Sequence, residues 1–216
     1  MSTLHKDSHT PLFIVFDGMD GTGKTTQMRL LSEYVNASGG ETVLTAEPSS
    51  SLDGLALRRA LSGKEPANNS RMAALFLIDR IGHNAEIEAW LAEGKTVISD
   101  RYYYSSMAYQ GQDDNFDWVA HMNLNCPHIR KPDGCILLDM EPTDSMARIR
   151  AGRSDAELEI YETLAQQEKI RTRFDRVKDY LKDRDLIITV NAAGTVEEVA
   201  ARVREAYETI LTAKNT

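Results

Sequence analysis

Leu12-Phe13-Ile14-Val15-Phe16-Asp17 runs directly into Gly18-Met19-Asp20-Gly21-Thr22-Gly23-Lys24-Thr25, and Thr26-Gln27-Met28-Arg29-Leu30-Leu31 follows. An apolar β-rich run, then G-x-x-x-x-G-K-[ST], then a helical pattern is the order strand, phosphate loop, helix. The glycines let successive backbone N–H groups turn toward one point, and the helix start adds positive dipole character there. Gly18, Asp20, Gly21, Thr22, Gly23, Lys24, Thr25 and Thr26 are therefore the expected lining of a phosphate cradle. Lys24 has the length to reach terminal phosphates, and Thr25 carries the hydroxyl that such loops offer to Mg²⁺. A chance glycine-rich turn would satisfy the spacing but would not need the strand before it and the helix after it.

Working outward, four more short apolar runs recur: Thr42–Ala46, Thr96–Asp100, Cys135–Asp139 and Leu186–Val190. With Leu12–Asp17 they read as five strands buried on both faces. Helical stripes separate them. Met28, Leu31 and Val35 form one, stopped by Gly39-Gly40; Ile170, Phe174, Val177 and Leu181 form another; Val196, Val199, Val203, Ala206 and Ile210 form a third. Alternation of strand and helix predicts an α/β fold, a five-stranded parallel sheet flanked by helices on both faces. No repeat or linker divides the chain, so residues 11–216 read as one domain behind a polar, fraying extension over residues 1–10.

The bulk properties narrow the class. A chain of 216 residues suits one domain with a sizeable core, and a net charge of −8 argues against a general nucleic-acid surface. The two cysteines, Cys126 and Cys135, make no metal pattern and read as free thiols of a reducing compartment. The five histidines show no zinc spacing. No run approaches the ~20 apolar residues of a membrane span, and MSTLHKDSHT lacks a signal peptide's apolar core. A cytoplasmic protein without membrane partners is expected.

Ligands of parallel α/β sheets sit beyond the carboxyl ends of the strands. Those ends are charged here: the phosphate loop, Glu47-Pro48, Asp100-Arg101-Tyr102 and Asp139-Met140-Glu141. A carboxylate beside an arginine at one strand tip suits a hydrated Mg²⁺ and an acceptor phosphate side by side. A salt-bridged strand end is the plainer alternative. Tyr102, Tyr103, Tyr104 and Tyr109 add rings and hydroxyls close by and favour the site reading.

At this point the chain resembles the thymidylate kinases. The resemblance rests on FDGMDGTGKTTQ (Phe16–Gln27), AEPSSSLDGLALR (Ala46–Arg58), LFLIDRIGH (Leu75–His83), DRYYYSSMAYQ (Asp100–Gln110) and LLDMEPTDSMAR (Leu137–Arg148), followed by a lid-like segment over about 148–162. It implies a P-loop kinase fold, Mg²⁺ as cofactor, ATP as phosphoryl donor, dTMP as acceptor and a homodimer. It further implies that Arg101 binds the acceptor phosphate, with Asp100 orienting Mg²⁺ through water. Asp20 would meet the acceptor's 3′-OH, and Tyr109 would fill the space of a ribose 2′-OH. Phe76 would stack on thymine, Arg80 would bond its O4, and Ser106 would meet the N3–O2 edge. Glu47, Pro48, Arg58, Ser105 and Gln110 complete the implied acceptor site. Periodicity alone favours a different reading of one pair, with Phe76 in a core stripe and Arg80 a solvated charge.

No basic residue occupies Met19 to Thr22, so transition-state charge would be met by a lid, with Arg150 and Arg153 closing over the phosphates from R-I-R-A-G-R-S-D (Arg148–Asp155). A solvated basic helix end is the alternative. Ala46 stands where the family often has arginine, and Asp17 where it usually has glutamate. Ser49-Ser50-Ser51 reads either as a phosphate contact or as a simple turn. The competing functions are another nucleoside monophosphate kinase on the same fold and a non-catalytic P-loop protein. A guanine-reading N-K-x-D string is not found, and Lys24, Asp100 and Arg101 are all present.

Overall fold

The computed structural model describes residues 10–62, 68–152 and 163–216. Among them the chain runs β1 (Phe13–Gly18), α1 (Lys24–Ala37), β2 (Thr42–Ala46), α2 (Leu52–Leu61), α3 (Asn69–Ala92), β3 (Thr96–Asp100), α4 (Tyr103–Tyr109), α5 (Phe116–Leu124), β4 (Gly134–Asp139), α6 (Pro142–Gly152), α7 (Leu164–Leu181), β5 (Ile187–Asn191) and α8 (Val196–Lys214). The expected extension over residues 1–10 lies, except for Thr10, outside the described residues.

The strands form one parallel sheet in the order β2-β3-β1-β4-β5. β1 is central, with Phe16 paired to Asp100 on one side and Ile136 on the other. Successive crossovers go first to one side of β1 and then to the other, so the phosphate loop leaves the sheet at its topological switch point. The Arg101 N–H bonds the Phe16 carbonyl at 2.8 Å and the Glu47 N–H bonds the Asp100 carbonyl at 3.0 Å. Three strand tips are thereby locked side by side.

β1, β3 and β4 are buried almost throughout. β2 and β5 depart from the double-sided burial read from their composition: they are the sheet edges, and Leu44 is 46% exposed. An edge strand has a neighbour on one side only, and apolar composition alone cannot reveal that. The three helical stripes face the core as expected except Val196, the first residue of α8, which is exposed. α1 packs on α8, and both contact the sheet; α4 packs on α7 and α5, and α3 on β3 and α2. A capping box of Thr195 and Glu198 starts α8, and Ser51 caps α2.

Candidate active site

The phosphate loop has the backbone that its glycines permit. Gly18, Gly21 and Gly23 have φ of 128°, 76° and 92°, all in the region that side chains disfavour. Lys24 is buried, and its Nζ donates to the Gly18 carbonyl at 3.2 Å and the Met19 carbonyl at 2.9 Å. Burial pushes its pKa down, with Arg101 adding to the effect; Asp100, Asp20 and Asp17 oppose it. Thr25 and Thr26 are exposed on the rim. Together with Asp20, Gly21, Gly23, Lys24, Asp100, Arg101 and Arg148 they line a cleft of about 420 Å³.

Across that cleft Arg101 is held in a left-handed backbone conformation, φ 71°, unusual for a branched-out side chain and stable only when its surroundings over-determine it. Its guanidinium pairs with Asp20, donates to the Ser105 hydroxyl at 2.9 Å and lies 4.9 Å from the Tyr109 ring centroid. The Tyr109 hydroxyl donates to Asp20 at 3.2 Å. Burial would raise the Asp20 carboxyl, but Arg101, Lys24 and the Tyr109 hydroxyl outweigh it and hold Asp20 below its ordinary value. Burial likewise works against the Arg101 charge, and Asp20, Tyr109, Asp17 and Asp100 together more than restore it. The result is an acid and a base, each stabilising the other's charge, at the mouth of the phosphate cradle.

Of the four tyrosines grouped at this strand tip, only Tyr109 faces the cleft chemistry. Tyr102, Tyr103 and Tyr104 are core residues, at most 1% exposed. The Tyr102 hydroxyl bonds Asn84 and the Arg130 carbonyl, and the Tyr103 and Tyr104 hydroxyls both bond Asp185. A run of aromatic residues opening a helix against a sheet packs its rings first.

The base-side residues form a second buried network. Arg80 has no exposure, so the solvated-charge reading drawn from periodicity is overturned. Its Nε and Nη2 donate to Glu47 at 2.9 and 2.6 Å, Nη2 also donates to the Ser106 hydroxyl at 3.1 Å, and Nη1 donates to Asn123. Glu47 is also 3.3 Å from His83, and His83 bonds Thr45 at 2.6 Å. Four of the five guanidinium N–H groups are thus used. Phe76, one turn before Arg80 on α3, packs with Leu57, Ala60 and Met72 between α2 and α3. Gln110 is buried at the end of α4.

Pro48 follows a cis peptide bond, and the turn after it is clamped from two sides. Asp79 accepts from the Ser49 N–H and hydroxyl and from the Ser51 hydroxyl. The turn reading of the serine run therefore prevails over direct phosphate contact. Arg58 donates to the Ser49 carbonyl at 2.8 Å and the Pro48 carbonyl at 2.6 Å. In this structure it braces the turn.

Two observations bear on the donor side. Asp100 Oδ1 is buried without a hydrogen-bond partner among the described residues, and Asp100 lines the same cleft as the exposed Thr25. An orphaned carboxylate oxygen and a hydroxyl at one cleft suit a hydrated hard cation. Next to the cleft, a cavity of about 370 Å³ lies between Gly23, Thr26, Gln27, Arg148, Gly194, Thr195 and Val196. Arg148 spans both spaces and donates to the Ala192 carbonyl at 3.2 Å. Arg150 is exposed on α6, and residues 153–162 of the expected lid, Arg153 among them, fall outside the described residues.

The thymidylate kinase family model matches residues 16–203. The chain belongs to the thymidylate kinase family. It is similar to the probable thymidylate kinase of Thermococcus kodakarensis, 36% identical over 211 residues, covering 93% of this chain and 98% of that one. The probable thymidylate kinase of Pyrococcus horikoshii is 35% identical over 194 residues, covering 87% and 91%. The solved thymidylate kinase of Candida albicans superposes with a TM-score of 0.75 at 25% identity, covering 94% of each chain.

For this thymidylate kinase, sequence reasoning missed two groups. Arg148 was read only as the start of a lid, yet it lines the cleft together with Arg101; its place one turn before the helix end was the available signal. The Gly194-Thr195-Val196 wall of the second cavity went unread. An N-A-A-G-T string after the last strand, at the same carboxyl end of the sheet as the phosphate loop, would have pointed to it.

Proposed function

We infer that this kinase transfers the γ-phosphoryl group of ATP to dTMP, giving dTDP, a step toward dTTP. The observation that carries the reading is one cleft in which a phosphate loop with its lysine faces Arg101, which pairs with Asp20 and lies against the Tyr109 ring. Phosphoryl transfer asks little covalent work of a protein; alignment and neutralisation of charge do most of it.

On the donor side, Gly18, Gly21, Thr22, Gly23, Lys24, Thr25 and Thr26 hold the ATP phosphates. Lys24 exchanges its two loop carbonyls for phosphate oxygens, and Arg148 with Gly194 to Val196 holds the purine. Thr25 and Asp100 would hold Mg²⁺, which when bound would neutralise phosphate charge. On the acceptor side, Arg101 takes the phosphate, Asp20 the 3′-OH, and Tyr109 blocks a 2′-OH. Phe76 stacks on thymine while the remaining Arg80 N–H bonds O4; Ser106, Gln110, Glu47 and Pro48 shape the base side, and Ser105 meets Arg101 on the phosphate side. Glu47 keeps the buried Arg80 charged and oriented. Arg58 supports the site through the turn it braces. Arg150 and Arg153 meet transition-state charge from the lid and exclude water on closure. The kinase works as a cytoplasmic homodimer of single-domain subunits.

The test is ADP formation with Mg²⁺-ATP and dTMP, dUMP, dCMP, dGMP or UMP in turn. We expect dTMP to dominate, with dCMP rejected because its amino group faces the Arg80 donor. A peak on dCMP or dGMP would remove the specificity site while leaving the kinase. Rejection of dTMP and UMP alike would remove the acceptor reading altogether.

A further inference from the structure

Asp17 is a buried acid to which the mechanism gives no task. It is the penultimate residue of β1 and has no exposure. Both its oxygens are nonetheless committed. Oδ1 accepts from the Gly18 N–H at 2.9 Å and the Ser105 hydroxyl at 2.6 Å, and Oδ2 accepts from the Ser105 N–H at 3.0 Å. The Ser105 hydroxyl has one proton, and Asp17 takes it. Its lone pairs are therefore left for Arg101, whose Nη1 donates at 2.9 Å. The Arg101 guanidinium lies 3.9 Å from Asp17 itself.

We propose that Asp17 is a positioning residue that holds Arg101 in place for the acceptor phosphate, acting through the Ser105 hydroxyl. The inference rests on the acceptor-phosphate role of Arg101 given above. The Arg101 guanidinium has three close holds, the Asp20 carboxylate, the Tyr109 ring and the Ser105 hydroxyl, with the Asp17 carboxylate farther off at 3.9 Å. An incoming phosphate is an anion and competes with Asp20 for the same fork. Once that exchange is made, the bond backed by Asp17 is the directional hold that remains. Arg101 needs one at its guanidinium, because its left-handed backbone (φ 71°) is fixed separately, by its N–H on the Phe16 carbonyl and by the Ser99 hydroxyl on its own carbonyl. The same carboxylate bonds the first amide of the phosphate loop, so one buried acid ties the donor cradle to the acceptor clamp. The aspartate's reach ends against the start of α4, at Ser105, and stops short of the cleft.

Calorimetric affinities of the full chain for dTMP and for thymidine separate the phosphate from the nucleoside. Arg101→Ala first tests the underlying reading: it should abolish the preference for dTMP over thymidine. If the preference survives, Arg101 is not the phosphate ligand, and both readings fall. If it is abolished, Asp17→Asn and Ser105→Ala should each weaken dTMP binding by roughly tenfold or more, as loss of a hydrogen bond to a charged group does. Thymidine affinity should stay within about twofold, and the double variant should bind dTMP no worse than Asp17→Asn alone. A merely structural role would weaken both ligands equally, and that result overturns the proposal, as does an unchanged dTMP preference. Losses that add in the double variant overturn the route through Ser105. Should Asp17→Asn fail to fold, Ser105→Ala decides alone: it removes one hydroxyl, and an undiminished preference for dTMP rejects the idea.

Discussion

Arg80 is a full charge with no exposure, and it is tolerable only because Glu47, Ser106 and Asn123 receive its protons. Breaking such a pair on one side leaves a buried, unpaired carboxylate, which costs roughly 3–5 kcal/mol. Arg80→Met should lose about that much in urea denaturation, and adding Glu47→Gln should return part of it. A loss below about 1 kcal/mol would mean that water reaches Glu47. Asp20 makes a prediction in pH. Burial opposes its charge, yet Arg101, Lys24 and Tyr109 hold its folded pKa below the ordinary 3.8. Its carboxylate therefore contributes stability above 3.8, and the contribution is lost as pH falls below 3.8 through the folded value. Asp17 has the opposite sign, because burial raises it, and acidification relieves the cost of its charge. The comparison must accordingly isolate Asp20: Asp20→Asn should show a shallower loss of stability than the wild type between about pH 4 and pH 2.5. Parallel curves would show that Arg101 does not stabilise the carboxylate. At this scale the sequence was least legible. One turn from Phe76 to Arg80 places both on a common face, but whether that face meets water or Glu47 depends on β2, more than thirty residues earlier in the chain.

Among the elements, α2 shows how a turn and a helix start fix each other. Ser51 caps it, Arg58 from its last turn reaches back to the carbonyls of Pro48 and Ser49, and Asp79 of α3 binds the serines of the turn. Gly54 lies in its first turn, and a Cβ there would stand 2.0 Å from the Ser49 carbonyl oxygen. Replacing glycine by alanine inside a helix ordinarily gains up to about 1 kcal/mol. Here the sign should reverse, because the clash is with backbone that Asp79 and Arg58 hold still. Gly54→Ala should lower the melting temperature and raise KM for dTMP several-fold with KM for ATP unchanged. A gain in stability would show the turn to be free to move. The elements themselves were largely written in the chain: the strands at β1, β2 and β3 follow from apolar runs between glycines and charges, and the helix stops from Gly39 and the caps. What composition could not encode was position in the sheet, hence the half-exposed β2 and β5, and the inward turn of three tyrosines.

For the whole molecule, α3 carries the last prediction. Its 24 residues span about 36 Å at the helical rise. One face is core and site: Met72, Phe76, Arg80, His83 and Ile87 are all buried. At one turn's spacing on the opposite face stand Ile78, Gly82, Ala85 and Ala89, all exposed, with Ile78 50% exposed and nothing within 4 Å of a Cβ placed at Gly82. Glu86 and Glu88 flank that stripe. Small residues between an isoleucine and a charged margin let a second helix approach closely, and the same helix would then carry a subunit contact on one side and the proposed thymine pocket on the other. In the proposed homodimer this stripe meets its copy. Gly82→Arg puts a long cation where two backbones come together, and it faces away from the subunit's own core. Sedimentation velocity at micromolar concentration should show a dimer for the wild type and a monomer for the variant. If pairing steadies α3, the monomer should also bind dTMP more weakly than the dimer, because Phe76 and Arg80 ride on that helix. A wild type that sediments as a monomer would remove the dimer, and a Gly82→Arg dimer would move the interface to another face.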